Sequence, residues 1–313
     1  MAILVTGAAG LVGRAAVAAL LRQGVEHVRA VVREPAQVGD LRRLGAKVAL
    51  LDATDPDGLV AAMDGVFTAC SLTGGLWPRP GEDPYASVVE PARVFLAAAA
   101  AVGVRRVVVC SPAAVGHAAP GNPHLAAKAE VERLVAASGL EHAILRCTHV
   151  LGPGAHLLAL LAGTAPPGRA PAGPGRDPVL VPGDGRQRVA PVWVGDVADA
   201  IAAADDAAEL GAVTWSVAGP TQLTFDGLVD AAHGARVAKR HLGSGDGEAG
   251  GRWVGAGEPG SGAGLTEVQA GLLALDSLGD PALPAPPGLV PTPLAETLAR
   301  SAALERSRVA GPP

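Results

Sequence analysis

The chain has 313 residues, 49% hydrophobic and 18% charged, with a formal net charge of −5. This balance specifies a globular protein with a full core; it offers no basic face for nucleic acid, and no apolar run reads as long enough to cross a bilayer. Three cysteines without a Cys-x-x-Cys spacing, and a start lacking a charged lead-in or cleavage site, point to the cytoplasm, and no histidine or carboxylate spacing suggests a metal.

Ala2 to Val5 is a short apolar run of strand length, broken at Thr6-Gly7. Gly7, Gly10 and Gly13 follow at a regular spacing, and Leu11–Gln23 reads as an alanine-rich helix stopped by Gly24. Strand, glycine turn and helix start make a cradle for a pyrophosphate. Glycine lets the backbone turn and approach closely, while free N–H groups at the helix start favour negative charge. Thr6, Gly7, Ala9, Gly10, Leu11, Val12, Gly13 and Arg14 are the candidate coenzyme contacts.

His27–Val32 is the second strand, and the residues after it select the coenzyme. Sites that prefer NAD place an acid here for the ribose 2′-hydroxyl. This chain has Val32-Arg33-Glu34-Pro35. A guanidinium at Arg33, with Arg14 closing on the same group, matches a 2′-phosphate, so NADP (NADPH) is expected over NAD. The other reading leaves both arginines on the surface and makes Glu34 the ribose acid. Pro35 opens a helix to about Leu44, Lys47–Leu51 is the third strand, and Asp52 ends it as a turn residue or as an acceptor for the adenine amine.

Asp55-Pro56 caps a short helix to Met63, and Val66–Cys70 is the fourth strand. The loop Ser71–Asp83 lies beside the expected crevice, which makes Trp77 and Tyr85 candidates for a substrate wall; helix packing is the alternative for Tyr85. Pro84 to Val102 is helical, Arg106–Cys110 is the fifth strand, Asn122-Pro123 caps a helix to Ser138, and Glu141–Arg146 is the sixth strand. The alternation implies an α/β, doubly wound parallel sheet with helices on both faces. Cys70, Cys110 and Cys147 then share one edge of that sheet, as inert fillers or as an oxidant sensor.

Thr6–Arg14, Val32–Pro35, Leu51–Asp52, Gly103–Ser111, Lys128–Glu132 and Ser138–Arg146 together resemble the NmrA-like branch of the atypical short-chain dehydrogenase/reductases, which includes isoflavone-reductase-like enzymes and quinone reductases. Gly183–Ala200 is similar to the complex I accessory-subunit group, and there Asp196 reads as a helix cap. The resemblance implies a Rossmann-type coenzyme domain. Where classical members carry Tyr-x-x-x-Lys, this chain has His124-Leu125-Ala126-Ala127-Lys128. In isoflavone-reductase-like relatives a lysine at the matching site is the general acid/base, so Lys128 is the expected proton-handling residue, with a pKa lowered by desolvation or a nearby cation. The alternative is a solvated lysine paired with Glu132. His124 shares the helix face and is either a proton donor or an exposed first-turn residue. Ser111 matches a site that orients substrate or nicotinamide, or else caps its own turn; Thr148 and His149 follow strand six and face the nicotinamide end as substrate contacts, His149 otherwise being a satisfied buried histidine.

From Gly152 the character changes. Pro166–Gly185 and Gly243–Gly264 read as flexible surface segments; Val213–Val217 reads as a strand, Thr224 as the cap of a helix through Ala232, and Leu265–Leu275 and Pro293–Arg306 as helices. Leu157, Leu158, Leu160 and Leu161 line a pocket or pack on the core. The expected division is a coenzyme domain over residues 1–150 and a small C-terminal substrate lobe over 151–313, with some elements free to return to the core. The expected function is a cytoplasmic NADPH-dependent reductase, monomer or homodimer, passing hydride to the carbonyl, quinone or activated alkene of a small molecule. A non-catalytic NADP-binding sensor or assembly protein, or an isomerase or cyclase, stays open beside it.

Overall fold

The computed structural model describes residues 2–75, 83–117, 121–161, 178–242 and 267–310. The sheet strands are β1 (Ala2–Thr6), β2 (His27–Val32), β3 (Lys47–Leu50), β4 (Val66–Ser71), β5 (Arg106–Pro112) and β6 (Glu141–Cys147). Four short strands follow in the chain, β7 (Val150–Leu151), β8 (Val179–Pro182), β9 (Arg188–Val189) and β10 (Val192–Trp193), then β11 (Ala212–Val217), β12 (Leu223–Thr224) and β13 (Lys239–Leu242). The main sheet has seven strands in the order β11-β6-β5-β4-β1-β2-β3, and every pairing in it is parallel. Its order reverses between β1 and β4, where the carboxyl ends of parallel strands leave a crevice.

The helices are α1 (Leu11–Arg22), α2 (Val38–Leu44), α3 (Pro56–Met63), α4 (Glu90–Val102), α5 (Pro123–Ala136), α6 (His156–Leu161), α7 (Val194–Asp206), α8 (Phe225–His233), α9 (Glu267–Leu273) and α10 (Leu294–Ala310). Alternation along β1 divides them. Ile3 and Val5 bury against Ala16, Val17 and Leu20 of α1 and Val197, Ala200 and Ile201 of α7. Leu4 faces the other way, onto Leu59, Met63, Phe95 and Val131 of α3, α4 and α5. A third cluster, built on Leu157, Leu161, Val181, Phe225 and Leu273, forms the small lobe.

Two elements beyond residue 150 return to the sheet layers. β11 pairs along the whole of β6, and α7 covers α1, so both are core elements of the coenzyme domain. Arg106, 1% exposed, fastens this return: its guanidinium donates to the carbonyls of Ala204, Asp205 and Ala207 at the end of α7 and to Glu141. Asp196 does not cap its helix. It is buried near the start of α7 and accepts from the backbone N–H and hydroxyl of Thr292, both at 2.7 Å, clamping the approach to α10.

A five-residue π-helix, Tyr85–Val89, runs straight into α4. The resulting helix Tyr85–Val102 has a mean hydropathy of 1.4 over 18 residues, long and apolar enough by length and composition to cross a membrane, against the expectation that no stretch is. Its apolar face, Val88, Val89, Ala92, Phe95, Ala98 and Ala99, packs in the protein core. The segments Pro166–Gly185, in its larger part, and Gly243–Gly264 lie outside the described residues.

Candidate functional site

A cleft of about 1040 Å³ opens at the carboxyl edge of the sheet and is lined by Gly7, Ala9, Gly10, Leu11 and Val12. The glycines build its floor by steric need. Gly7 has φ +66°, and a Cβ there would meet the Leu72 carbonyl oxygen at 2.5 Å; a Cβ on Gly13 would stand 2.2 Å from the Gly7 oxygen. Gly10 caps α1 with no side-chain hydrogen bond. The N–H groups of its first turn are therefore open to an anion. Thr6 and Gly13 sit behind this surface: the Thr6 hydroxyl donates to the Cys70 carbonyl, and Gly13 lets helix and turn touch. The cradle fits the diphosphate of a dinucleotide.

At the far end the cleft meets Arg33, Glu34 and Asp52. Arg33 is half-exposed, with Nε 3.4 Å from Glu34 Oε1. Arg14 is committed elsewhere, its Nε donating to the Ala9 carbonyl and Nη1 to Asp40. Asp52 is a turn residue on the cleft wall: its Oδ1 accepts from the Thr54 hydroxyl at 2.6 Å and the Thr54 N–H at 2.9 Å, and these bonds hold its carboxyl below the usual range.

At the chemical end, Asn122 caps α5 through the His124 and Leu125 N–H groups, which places Lys128 one turn further along the same face. Lys128 is 6% exposed and lines the cleft. Its Nζ donates to the Thr73 carbonyl at 3.4 Å. Burial brings its pKa down to about 8, opposed by the thiol of Cys110 and the carboxylate of Glu132. The Glu132 carboxylate is itself gripped by Arg146, which takes both oxygens, so the solvated Lys128–Glu132 pair is not what forms.

His124 is fully buried rather than exposed, and burial with the Lys128 charge beside it lowers its pKa to about 4. It does not titrate near neutrality as expected; the ring is neutral, and neither nitrogen has a hydrogen-bond partner. Ser111 Oγ and His149 Nε2 are likewise buried without partners, and all three residues line the cleft. Buried polar atoms left unpaired are uncommon, and here three such residues stand along one cleft. Thr148 lines the cleft too, but its hydroxyl is spent on the Ala190 carbonyl at 2.5 Å.

Two candidates are not brought to the site. Tyr85 is 49% exposed, outside the lining, with its hydroxyl accepting from Arg93. Trp77 lies outside the described residues. Of the cysteines, Cys110 and Cys147 line the cleft, and all three are free thiols. The hydrogen bond between the Cys147 thiol and Cys110, together with burial, pushes Cys147 up, and burial raises Cys70, which keeps both protonated. Sequence reasoning missed Thr73, whose carbonyl holds Lys128, and the wall contributed by α9 through Gln269, Leu272 and Leu273. The flagged Ser71–Asp83 loop pointed toward the first; no motif pointed to the second. Among the described residues no group of histidine, cysteine and carboxylate side chains could hold a metal ion.

A family model described as NAD(P)H-binding matches residues 7–166. A search of curated proteins finds none that matches. Among solved structures, MoeE5 in complex with UDP-glucuronic acid and NAD is 23% identical, covers 98% of this chain and 99% of its own, and superposes with a TM-score of 0.69. The Citrobacter sp. triphenylmethane reductase complexed with NADP(H) gives 19% identity, coverage of 96% and 100%, and a TM-score of 0.73. The UDP-glucuronic acid 4-epimerase from Bacillus cereus, with UDP-glucuronic acid and NAD, gives 17%, coverage of 98% and 99%, and 0.68. At such identities the likeness is one of fold. The expectation of NADP over NAD is overturned: MoeE5 and the epimerase hold NAD. In this chain, Arg14 is turned away onto Asp40, and Glu34 stands beside Arg33, where its charge opposes a 2′-phosphate.

Proposed function

This chain belongs to the NAD(P)H-binding family, and on that premise we propose that it is an NAD(H)-dependent oxidoreductase acting on a carbonyl, quinone or activated alkene of a small molecule. The observation that carries the reading is the Lys128 ammonium, buried in the cleft at a pKa of about 8 and flanked there by the unpartnered Ser111 hydroxyl and His124 ring. A lysine with no catalytic duty is normally solvated; one held dry beside unsatisfied donors is set to hand over a proton.

The first turn of α1 would hold the diphosphate, and the Glu34 carboxylate would accept from the adenosine ribose. When bound, NADH would supply the hydride. Ser111 Oγ donates to the substrate oxygen and sets the carbonyl carbon toward the donor. Lys128 Nζ would give up one proton to the substrate oxygen as negative charge builds there, leaving the alcohol and a neutral amine. Water returns the proton to Lys128 once the product leaves. The neutral His124 ring beside Nζ keeps water out and adds no competing charge.

The test is NADH consumption with a panel of enones, quinones and ketones. Lys128→Met is expected to lower kcat by ~10²–10⁴, while calorimetry finds NADH affinity within about threefold of the parent. Turnover of the variant at the parent rate would remove the assignment.

A further inference from the structure

The coenzyme reading leaves one end of the cleft unaccounted for. Beyond Ser111 and Lys128 the cavity continues between α6 and α9, walled by Ala155, Leu157, Leu272 and Leu273, all at most 8% exposed. Leu157 and Leu273 belong to one apolar cluster and Leu272 to another, so this part of the wall is backed by apolar packing. Among the described lining residues, the Asp, Glu, Lys and Arg side chains are Arg33, Glu34, Asp52 and Lys128, and the first three stand at the adenosine end.

Polar side chains also line this end, His149, His156, Gln269 and Ser277, and the buried ring of His149 is the group the argument turns on. His149 is fixed from both sides: its carbonyl accepts from Val192 N–H, and its ring meets Phe225 edge-on with centroids 6.4 Å apart. Its Nε2 has no partner. Burial alone lowers its pKa to about 4, so the ring carries no charge at neutral pH and suits a neutral partner. An ionic ligand group placed against these leucines would lose its hydration, and the charged Lys128 side chain at this end is taken up by the reacting oxygen.

We propose that this end of the cleft takes an uncharged, predominantly apolar carbonyl compound carrying a second hydrogen-bonding atom, with the reacting oxygen at Ser111 and Lys128 and the second atom at His149 Nε2. The inference rests on the coenzyme reading above. It places the substrate in a different class from the nucleotide sugars held by MoeE5 and the epimerase.

The experiment titrates four probes into the NADH-saturated protein by calorimetry: para-hydroxyacetophenone, para-methylacetophenone, para-acetylbenzoate and UDP-glucuronate. The hydroxylated ketone is expected to bind about tenfold more tightly than its methyl analogue, the worth of one buried hydrogen bond, and the two anions more weakly than either. His149→Leu should abolish the contrast between hydroxyl and methyl and leave NADH affinity unchanged; His149→Gln, which keeps a donor and an acceptor, should restore part of it. Binding of either anion as tight as that of the neutral ketones, or a contrast untouched in His149→Leu, overturns the proposal while the coenzyme reading stands. If NADH itself gives no heat, the coenzyme reading falls, and this inference falls with it.

Discussion

Three cleft residues tie stability to pH with the same sign, each in its own window. His124 and His149 have pKa values near 4 in the fold, against an ordinary 6.5. Their depressed values mean that the unfolded chain takes up protons first on acidification. The stability tied to neutral rings is complete above pH 6.5 and drains away between 6.5 and 4, on the order of 3 kcal/mol for each ring. Lys128, near 8 rather than 10.5, follows the same sign in a higher window: burying its charge costs stability below pH 8, and the cost fades as pH rises from 8 to 10.5. Lys128→Met should thus gain on the order of 1–3 kcal/mol at neutral pH while losing turnover, and His124→Leu should flatten the acid limb. Urea midpoints measured against pH read both, and a Lys128→Met variant less stable than its parent would contradict the burial account. A proton donor held at this pKa also makes carbonyl reduction fall off above about pH 8.

At the scale of elements, the β1–α1 turn is where packing and binding are the same requirement. Gly13 allows α1 to start directly against Gly7, and the same closeness leaves the α1 N–H groups bare for a diphosphate. A Cβ at Gly13 would press on backbone atoms of Gly7 and Ala8, none of which can swing aside as a side chain would. Gly13→Ala should therefore cost about 1–3 kcal/mol of stability and weaken NAD binding at least tenfold, read by thermal melts and calorimetry. The α5 cap acts similarly one layer away. Asn122 fixes the first turn, and the first turn fixes which face of the helix Lys128 presents to Thr73.

Over the whole molecule, the chain makes its coenzyme domain from both halves. The outer edge of β6 is covered by β11, and the Ala16, Val17 and Leu20 face of α1 by α7. A fragment of residues 1–150 would expose that strand edge and that helix face, and leave the Arg106 guanidinium without its three carbonyl acceptors. The fragment is expected to lack cooperative unfolding and to bind dye for exposed apolar surface, where the full chain does neither. A cooperatively melting fragment would show the C-terminal return to be dispensable.

Local chemistry made much of this readable from the chain alone. Glycine at positions 7, 10 and 13, the Asn122-Pro123 and Asp55-Pro56 caps, and strands of branched residues each have a meaning set by near neighbours, so the parallel α/β fold, the glycine turn between β1 and α1 and the helical placement of Lys128 were legible. The direction taken by a side chain with rival partners was not. Arg14 turns to Asp40, Arg33 stands beside Glu34, and Arg146 draws Glu132 away from Lys128, each choice made by a residue remote in sequence or by competing geometry. Burial of His124, the carbonyl of Thr73 at Lys128, and the α9 wall likewise come from distant segments folding over the sheet edge. Secondary structure is specified by short-range backbone preferences that a sequence displays. Desolvation and ion pairing depend on which distant groups arrive nearby, and that is decided only when the chain has packed.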